Sequence, residues 1–327
     1  MHVGILIDCV LPAPKYGGTE RMVIWLGAAL IDLGHQVTFF CREGSNVGFA
    51  PCVTIDRQKP LAAQIPKHID IVHAHSGFPY ELGRPACQTI HDNSYEPRTF
   101  HQNTVFISEN HAERHGGKVW VHHGMDPQNY AEPDFFAGRE RLAFLAKAAW
   151  RVKNVTGAIK VARLCRRPLD VLGGSRVNFR MGFRVTFDPH VKFHGMVDDA
   201  LKSRHLRTAL GLLFPVRWHE PFGLAVIEAM YFGVPIFGTP YGALPELVKP
   251  HLGHLSADGA ELAAAVSDAS RYDNRAIHEH WKEHYSSRVM ALKYLEIFER
   301  ILDGEMLHDA PIEAPPTRDR QLLPWTA

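Results

Sequence analysis

The sequence predicts an α/β protein of two doubly wound, Rossmann-like domains, and three observations carry that expectation. The chain has 327 residues, more than one α/β domain usually holds. Short apolar runs alternate with amphipathic helical patterns in two successive series, the signature of parallel sheets with right-handed crossovers. A proline- and glycine-marked interruption separates the series.

In the first series HVGILI, QVTFF, CVTI, DIVHA, CQTI, TVFIS and VWVHH read as strands buried on both faces. The clearest helix is ERMVIWLGAALIDLG, where Met22, Trp25, Leu26, Ala29 and Leu30 share a face and Gly34 supplies the stop. Pro127, Pro133 and Gly138 make DPQNYAEPDFFAGRE a linker, with a domain boundary near residue 137. The second series runs RLAFLA, NVTGAIKVARLC, LDVLGG, VKFHGMV, DDALKSRHL, LGLLFP, AVIEAMYFG and VPIFG, as strand, helix, strand, strand, helix, strand, helix, strand. From residue 260 the chain reads as helical, and the proline-rich end APIEAPPTRDRQLLPW reads as a tail.

Composition narrows the function classes. Thirty-six basic against 35 acidic side chains leave a net charge of +1, too little for a global field that would hold nucleic acid. Five scattered cysteines without a CxxC pair argue against a disulfide framework and for a reducing, cytoplasmic compartment. MHVGILIDCV has no basic leader and is broken at Asp8, so it reads as a strand and not a signal peptide. No run reaches the ~20 apolar residues of a membrane-spanning helix, while peripheral membrane contact stays open.

Ligands of open parallel sheets bind beyond the carboxyl ends of the strands, so the chemistry is expected in the loops there. The most informative stretch is LLFPVRWHEPFGLAVIEAMYFG, a strand, a loop with Glu220, and a helix opening at Phe222-Gly223-Leu224 with Glu228 further in. Free amides at that helix start, with Gly223 permitting close approach, suit a diphosphate. No Walker lysine follows, so this is not a P-loop. Glu220 can accept from hydroxyls beside the phosphates, and Glu228 can take a ribose diol. For an arbitrary pair of glutamates, solvated surface charges would be the ordinary reading.

The string closely resembles the signature of family 4 retaining glycosyltransferases, which have the GT-B fold and two glutamates, separated by seven residues, flanking PFGL. The resemblance implies two Rossmann-like domains facing a central cleft. Residues 1–137 would be the acceptor side, 138–280 the donor side, and 281–327 a C-terminal helix crossing back to the N-terminal domain, plus a tail. It further implies that Glu220 meets the donor sugar, Glu228 the ribose, and the Phe222, Gly223 and Leu224 amides the sugar and phosphates.

Other landmarks resemble the same family. YGGTERMV, with Gly17 and Gly18, is similar to its glycine loop. HHGMDPQNY resembles the segment closing the first domain, and FHGMVDD the loop that meets the base, which brings in Met196 and Val197; Gly174 ends LDVLGG in the same donor set. In AKAAWRVKN, Lys147 stands where the family carries arginine and Lys153 where it carries lysine, both implied to contact the diphosphate and stabilise the departing nucleotide. Lys147 lacks arginine's planar fork, and Arg151 is a possible substitute.

Twenty-one histidines invite a metal reading, but there is neither HExxH nor a Cys/His cluster, so no metal and no cofactor is expected. His73 and His75 share one side of a strand, and His122-His123 follows another. His91 ends a strand where the family often carries a cleft histidine, which implies contact with the donor sugar or acceptor beside Asp92. The expected reaction moves a hexose from a nucleotide-sugar to a glycan, lipid-linked or small-molecule acceptor. UDP-glucose is the first expectation for the donor and GDP-mannose the alternative. The rival readings are a non-catalytic nucleotide-sugar binding protein and a GT-B epimerase. A nicotinamide dehydrogenase fits poorly, because LPAPKYGGTE follows the first strand in place of GxGxxG.

Overall fold

The computed structural model describes residues 1–13, 17–75, 82–94, 96–179, 183–315 and 321–326. Two compact units divide the chain: Met1–Asp126 with Tyr285–Arg318, and Pro127–His284 with Asp319–Ala327.

The first unit begins with β1 (His2–Leu6), α1 (Gly18–Asp32), β2 (Gln36–Cys41), β3 (Cys52–Thr54), β4 (Ile71–Ala74) and β5 (Ala86–Thr89). β6 (Arg98–Phe100), β7 (Thr104–Val105) and α2 (Glu109–Arg114) follow. Six strands pair in parallel in the order β3-β2-β1-β4-β5-β7, as the apolar runs predict, but the edge strand β3 is largely exposed and not buried on both faces. Met22, Trp25, Leu26, Ala29 and Leu30 of α1 are all buried, and Gly34 takes φ +88° just past the helix end.

The second unit contains β8 (Arg141–Leu145), α3 (Val155–Leu164), β9 (Leu169–Leu172), β10 (Val177–Asn178), β11 (Arg184–Val185), β12 (Val191–Phe193), α4 (Asp199–Leu206) and β13 (Ala209–Phe214). It continues through α5 (Leu224–Tyr231), β14 (Ile236–Gly238), α6 (Leu244–Leu247), β15 (Gly253–Leu255), α7 (Gly259–Ser267) and α8 (Asn274–His284). Its parallel sheet has the order β12-β9-β8-β13-β14-β15. Helices start where local chemistry supplies an acceptor: Asn154, in the left-handed region, accepts from Gly157 N–H, and Asp198 accepts from Leu201 N–H.

α9 (Ser287–Leu302) returns to the first unit, where it packs on α1 and brings the Tyr294 hydroxyl within 2.9 Å of Thr89 Oγ1.

Two local expectations are corrected. VWVHH is not a strand: Trp120 makes only an isolated bridge to Phe106, because Gly116 and Gly117 lead straight into it and the pairing stops after one rung. The proline-rich end is not a free tail throughout. Ile312–Ala314 forms β16, antiparallel to β6, with Ile312 and Ala314 buried while Glu313 accepts from the Thr99 hydroxyl. Residues 321–326 are tied to the second unit by paired bonds between Leu323 and Arg217 and between Thr326 and Ala257 and Gly259. Among the described residues no helix is long and apolar enough to cross a membrane.

Candidate functional site

The loop after β13 gathers the predicted donor residues of the second unit. Lys153, in the turn after β8, places Nζ 2.6 Å from Glu220 Oε2, and the Trp218 indole N–H donates to the same oxygen at 2.7 Å. Both side chains of the pair are mostly buried, where a charge is stable only if partnered. The ammonium also stands 4.7 Å from the Trp218 ring centroid, 5.6 Å from Phe214 and 5.8 Å from Trp150. Lys147 lies over that Trp150 ring too, at 6.0 Å, so both predicted lysines converge on one indole.

Behind Glu220, Gly242 at φ +65° lets the next loop press against its backbone, and Ala243 N–H donates to Glu220 C=O at 2.9 Å. A Cβ at Gly242 would collide with the Glu220 main chain. In front, Gly223 caps α5 with φ +108°, a conformation that suits glycine, and α5 begins at Leu224. The first amides of α5 have no intrahelical acceptor, so the helix offers them and its positive dipole end to an anion. Phe222 is buried beside them.

Glu228, further along α5, is also buried, and its Oε1 accepts from Lys202 Nζ at 2.7 Å and from the Tyr130 hydroxyl. Lys202 is itself buried and reaches Asp199 at 2.8 Å and the Tyr130 oxygen at 3.1 Å. The carboxylate is thus fixed in orientation before any ligand arrives. Gly174 has a structural reason to be glycine: a Cβ there would lie 2.7 Å from the Ala148 Cβ, and the residue bridges to Gly195. Met196 is exposed and Val197 half-buried beyond that bridge. Arg151 is placed differently, in the lining of a cavity of about 510 Å³ with Asn154, Lys160, Arg184 and Arg217.

In the first unit Gly17 is extended at the N-cap of α1, and Gly18 opens the helix. His91 is the middle of a row of imidazoles: His75 Nδ1 lies 3.1 Å from His91 Nε2, and His91 Nδ1 lies 3.3 Å from His123 Nε2. The His73 ring lies tilted against His75 with centroids 4.1 Å apart, and its Nε2 is 2.8 Å from Thr89 Oγ1. Burial pushes the pKa of His73 and His91 down to about 3, and desolvation with neighbouring imidazoles pushes His75 and His123 well below the usual range. These rings are therefore neutral, and among the described residues they form no group of three ligand atoms close enough to hold one metal ion.

Asp170, His194 and His205 do bring three ligand atoms within 4.8 Å of one another. Arg141, however, holds both Asp170 oxygens, at 2.7 and 2.8 Å, so a cation already occupies the carboxylate. Burial raises the Asp170 pKa, but the hydrogen bonds from His205, Arg141 and His194 outweigh it and hold the group well below the usual carboxylate range. The geometry suits a buttressed ion pair.

Four residues of this arrangement escaped the sequence reading. Trp218 and Gly242 lay in or beside the signature string, where an indole two residues before the glutamate and a glycine after the next strand were available signals. Tyr130 ended HHGMDPQNY, noted only as the segment closing the first domain, and Lys202 carried no signal, since each meets Glu228 only through the fold.

Residues 139–271 match the family model described as glycosyl transferases group 1. A phosphatidyl-myo-inositol mannosyltransferase of Mycobacterium leprae (strain TN) is 34% identical over 87 residues, 26% of this chain and 23% of the relative. A second curated relative aligns over 25% of its length, so the matched part spans about a quarter of each. Among solved structures, AviGT4, a glycosyltransferase involved in avilamycin A biosynthesis, superposes with a TM-score of 0.73 at 21% identity, covering 93% of this chain and 98% of that one. HepE of Anabaena, solved in complex with UDP and glucose, gives 0.65 at 14% identity over 91% of this chain and 99% of its own.

Proposed function

From a chain that carries a glycosyl transferase group 1 domain in a GT-B fold, we propose a glycosyltransferase that moves a hexose from a UDP- or GDP-linked donor to a glycan, lipid-linked or small-molecule acceptor with retention of configuration. The observation that carries the reading is the Lys153–Glu220 ion pair beside the Gly223-capped start of α5, inside the matched segment. UDP-glucose is the first donor to test, supported by the HepE complex with UDP and glucose.

The α5 amides, Lys153 and Lys147 bind the diphosphate, and Glu220 meets the sugar hydroxyls. Glu228, oriented by Lys202 and Tyr130, takes the ribose diol. The bond from the anomeric carbon to the diphosphate oxygen breaks while the acceptor oxygen bonds to the same face. The acceptor proton passes to the leaving phosphate, whose growing charge the lysines and helix amides stabilise. No step uses a metal. His91 contacts the sugar or orients the acceptor as a neutral group. The proposed compartment is the cytosol, supported by five free cysteines.

The test is donor-dependent product formation across UDP- and GDP-linked hexoses, preceded by a thermal-shift panel, because a ligand of the native state raises its melting temperature. Stabilisation by UDP or GDP with sugar transfer supports the reading. Nucleotide binding without transfer to any acceptor class supports the non-catalytic alternative. Lys153→Ala should weaken UDP binding far more than uridine binding, and equal losses would remove Lys153 from the diphosphate.

A further inference from the structure

Between β9 and β12 in the second unit the described residues hold a two-stranded antiparallel ladder whose polarity is inverted. β10 and β11 pair antiparallel with Val177 opposite Val185 and Asn178 opposite Arg184, and Thr186 N–H extends the ladder to Arg176 C=O. Residues alternate between the two faces of a strand, so Val177, Phe179, Phe183, Val185 and Phe187 share one face, and Arg176, Asn178, Arg184, Thr186 and Asp188 the other. The polar face is the one turned inward. Thr186 and Asp188 are buried, Asn178 and Arg184 line the cavity against α3 with Phe183 at its edge, and the Arg176 guanidinium donates to the carbonyls of Thr186, Asp188 and Val191. The apolar face is open to solvent: Phe179 is 78% exposed, Phe183 73% and Phe187 88%, with the Phe179 and Phe183 rings 5.8 Å apart. Clustered aromatic exposure of this kind is disfavoured on a free surface and marks a docking site.

Charge identifies what docks. Residues 155–192 contain eight Lys and Arg against two Asp, a local excess of +6 in a chain whose net charge is +1. Both acids are buried and paired, Asp170 with Arg141 and Asp188 with Arg163 at 2.5 Å. Lys160, Arg163, Arg166, Arg167 and Lys192 are exposed. The cavity beneath the ladder has Arg151, Lys160, Arg184 and Arg217 in its lining and no carboxylate. A second copy meeting this face about a two-fold axis would set these cations against themselves. Exposed phenylalanine and valine in a segment rich in exposed cations, with Phe183, Lys160 and Arg184 in one cavity lining, match an interface with acyl chains below and anionic headgroups above.

We infer that the β10–β11 ladder, with the basic cavity and α3 beside it, docks the second unit onto an anionic phospholipid surface. The phenylalanines enter the headgroup–acyl boundary while Lys160, Arg166, Arg167 and Lys192 face the lipid phosphates. The contact rests on residues outside the donor set, the three phenylalanines with Lys160, Arg166, Arg167 and Lys192, while Arg151 in the cavity lining is common to both readings.

The experiment is sedimentation of the full chain with vesicles of phosphatidylcholine alone or mixed with phosphatidylglycerol. Wild-type protein should partition onto the phosphatidylglycerol vesicles at least about ten-fold better than onto phosphatidylcholine, and salt should weaken the binding. The triple variant Phe179→Ser/Phe183→Ser/Phe187→Ser should lose about ten-fold or more in partition with melting temperature and nucleotide binding unchanged. Lys160→Glu/Lys192→Glu, which leaves the apolar face intact, should lose binding to the anionic vesicles selectively. The inference is overturned if wild type ignores phosphatidylglycerol vesicles or the triple variant binds them as well as wild type. It is equally overturned if the triple variant's defect is loss of a dimer, or of binding to a single-stranded oligonucleotide, in place of loss of vesicle binding.

Discussion

The first unit buries its polar groups as neutral imidazoles, and the second buries them as ion pairs. His73, His75, His91 and His123 form a row at the strand ends of the first sheet, each ring uncharged because burial penalises the imidazolium. In the second unit the ionic groups are paired: Lys153 after β8 with Glu220 after β13, Lys202 of α4 with Glu228 of α5, and Arg141 with Asp170 at the starts of β8 and β9. Both sheets have six parallel strands, so the difference comes from the side chains they carry and not from the architecture. Neutral rings can accept or donate without holding a charge. Paired charges can exchange their partner for a charged ligand.

Acid should separate the two most strongly. The unfolded chain protonates each histidine below about pH 6.5, but the native first unit keeps His73 and His91 neutral down to about 3 and holds His75, His111 and His123 well below the usual imidazole range. Because the unfolded state then binds more protons, stability falls with falling pH, by about 1.4 kcal/mol per pH unit for each such ring. The second unit has His280 lowered to about 4 by desolvation and the neighbouring His284, His251 and Lys249. Its depressed Asp170 retains its contribution until pH falls below the ordinary carboxylate range. Calorimetry from about pH 7 to 4.5 should show the first unit's transition moving down well ahead of the second's. Transitions that fall together would break the comparison.

Removing one member of a buried pair comes next. Lys202→Ala strands the Glu228 carboxylate with Tyr130 and should cost about 3–5 kcal/mol in urea unfolding. A loss under about 1 kcal/mol would mean that the pair is screened like a surface bridge.

The two glutamates should then divide binding from rate. Glu228→Gln should weaken free nucleotide and donor together, whereas Glu220→Gln should lower turnover with nucleotide affinity nearly intact. Each effect should be roughly 1.5–3 kcal/mol, or about one to two decades. Calorimetric nucleotide affinities and turnover at saturating donor check this, and wild-type values for both variants would leave the carboxylates with structural roles only.

The smallest expected effect is that of chelation. Activity should persist in EDTA, since lysines and helix amides carry the diphosphate in the proposed reaction and Arg141 already holds the Asp170 carboxylate. Loss on chelation with recovery on adding manganese would replace that account.

Much of this was legible in the sequence because it is local. Buried strands announce themselves as apolar runs, the α1 stripe repeats at the helical period, and the Glu220–Glu228 string combines a strand, a glycine-capped helix and two carboxylates within one contiguous stretch. The misread VWVHH shows the limit of local pattern: its β-branched composition suits a strand, but a strand also needs a neighbour in register, and here pairing ends after one bridge. The same dependence on a distant partner turned part of the apparent tail into β16.

What only tertiary structure decided is which polar groups meet. Lys153 and Glu220 are 67 residues apart in sequence, and Tyr130 and Glu228 are 98 apart. His91 acquires its two imidazole partners from a neighbouring strand and a later loop. No pattern along the chain encodes such meetings, because burial demands only that each polar group find some partner, and the packing of the sheet selects which one.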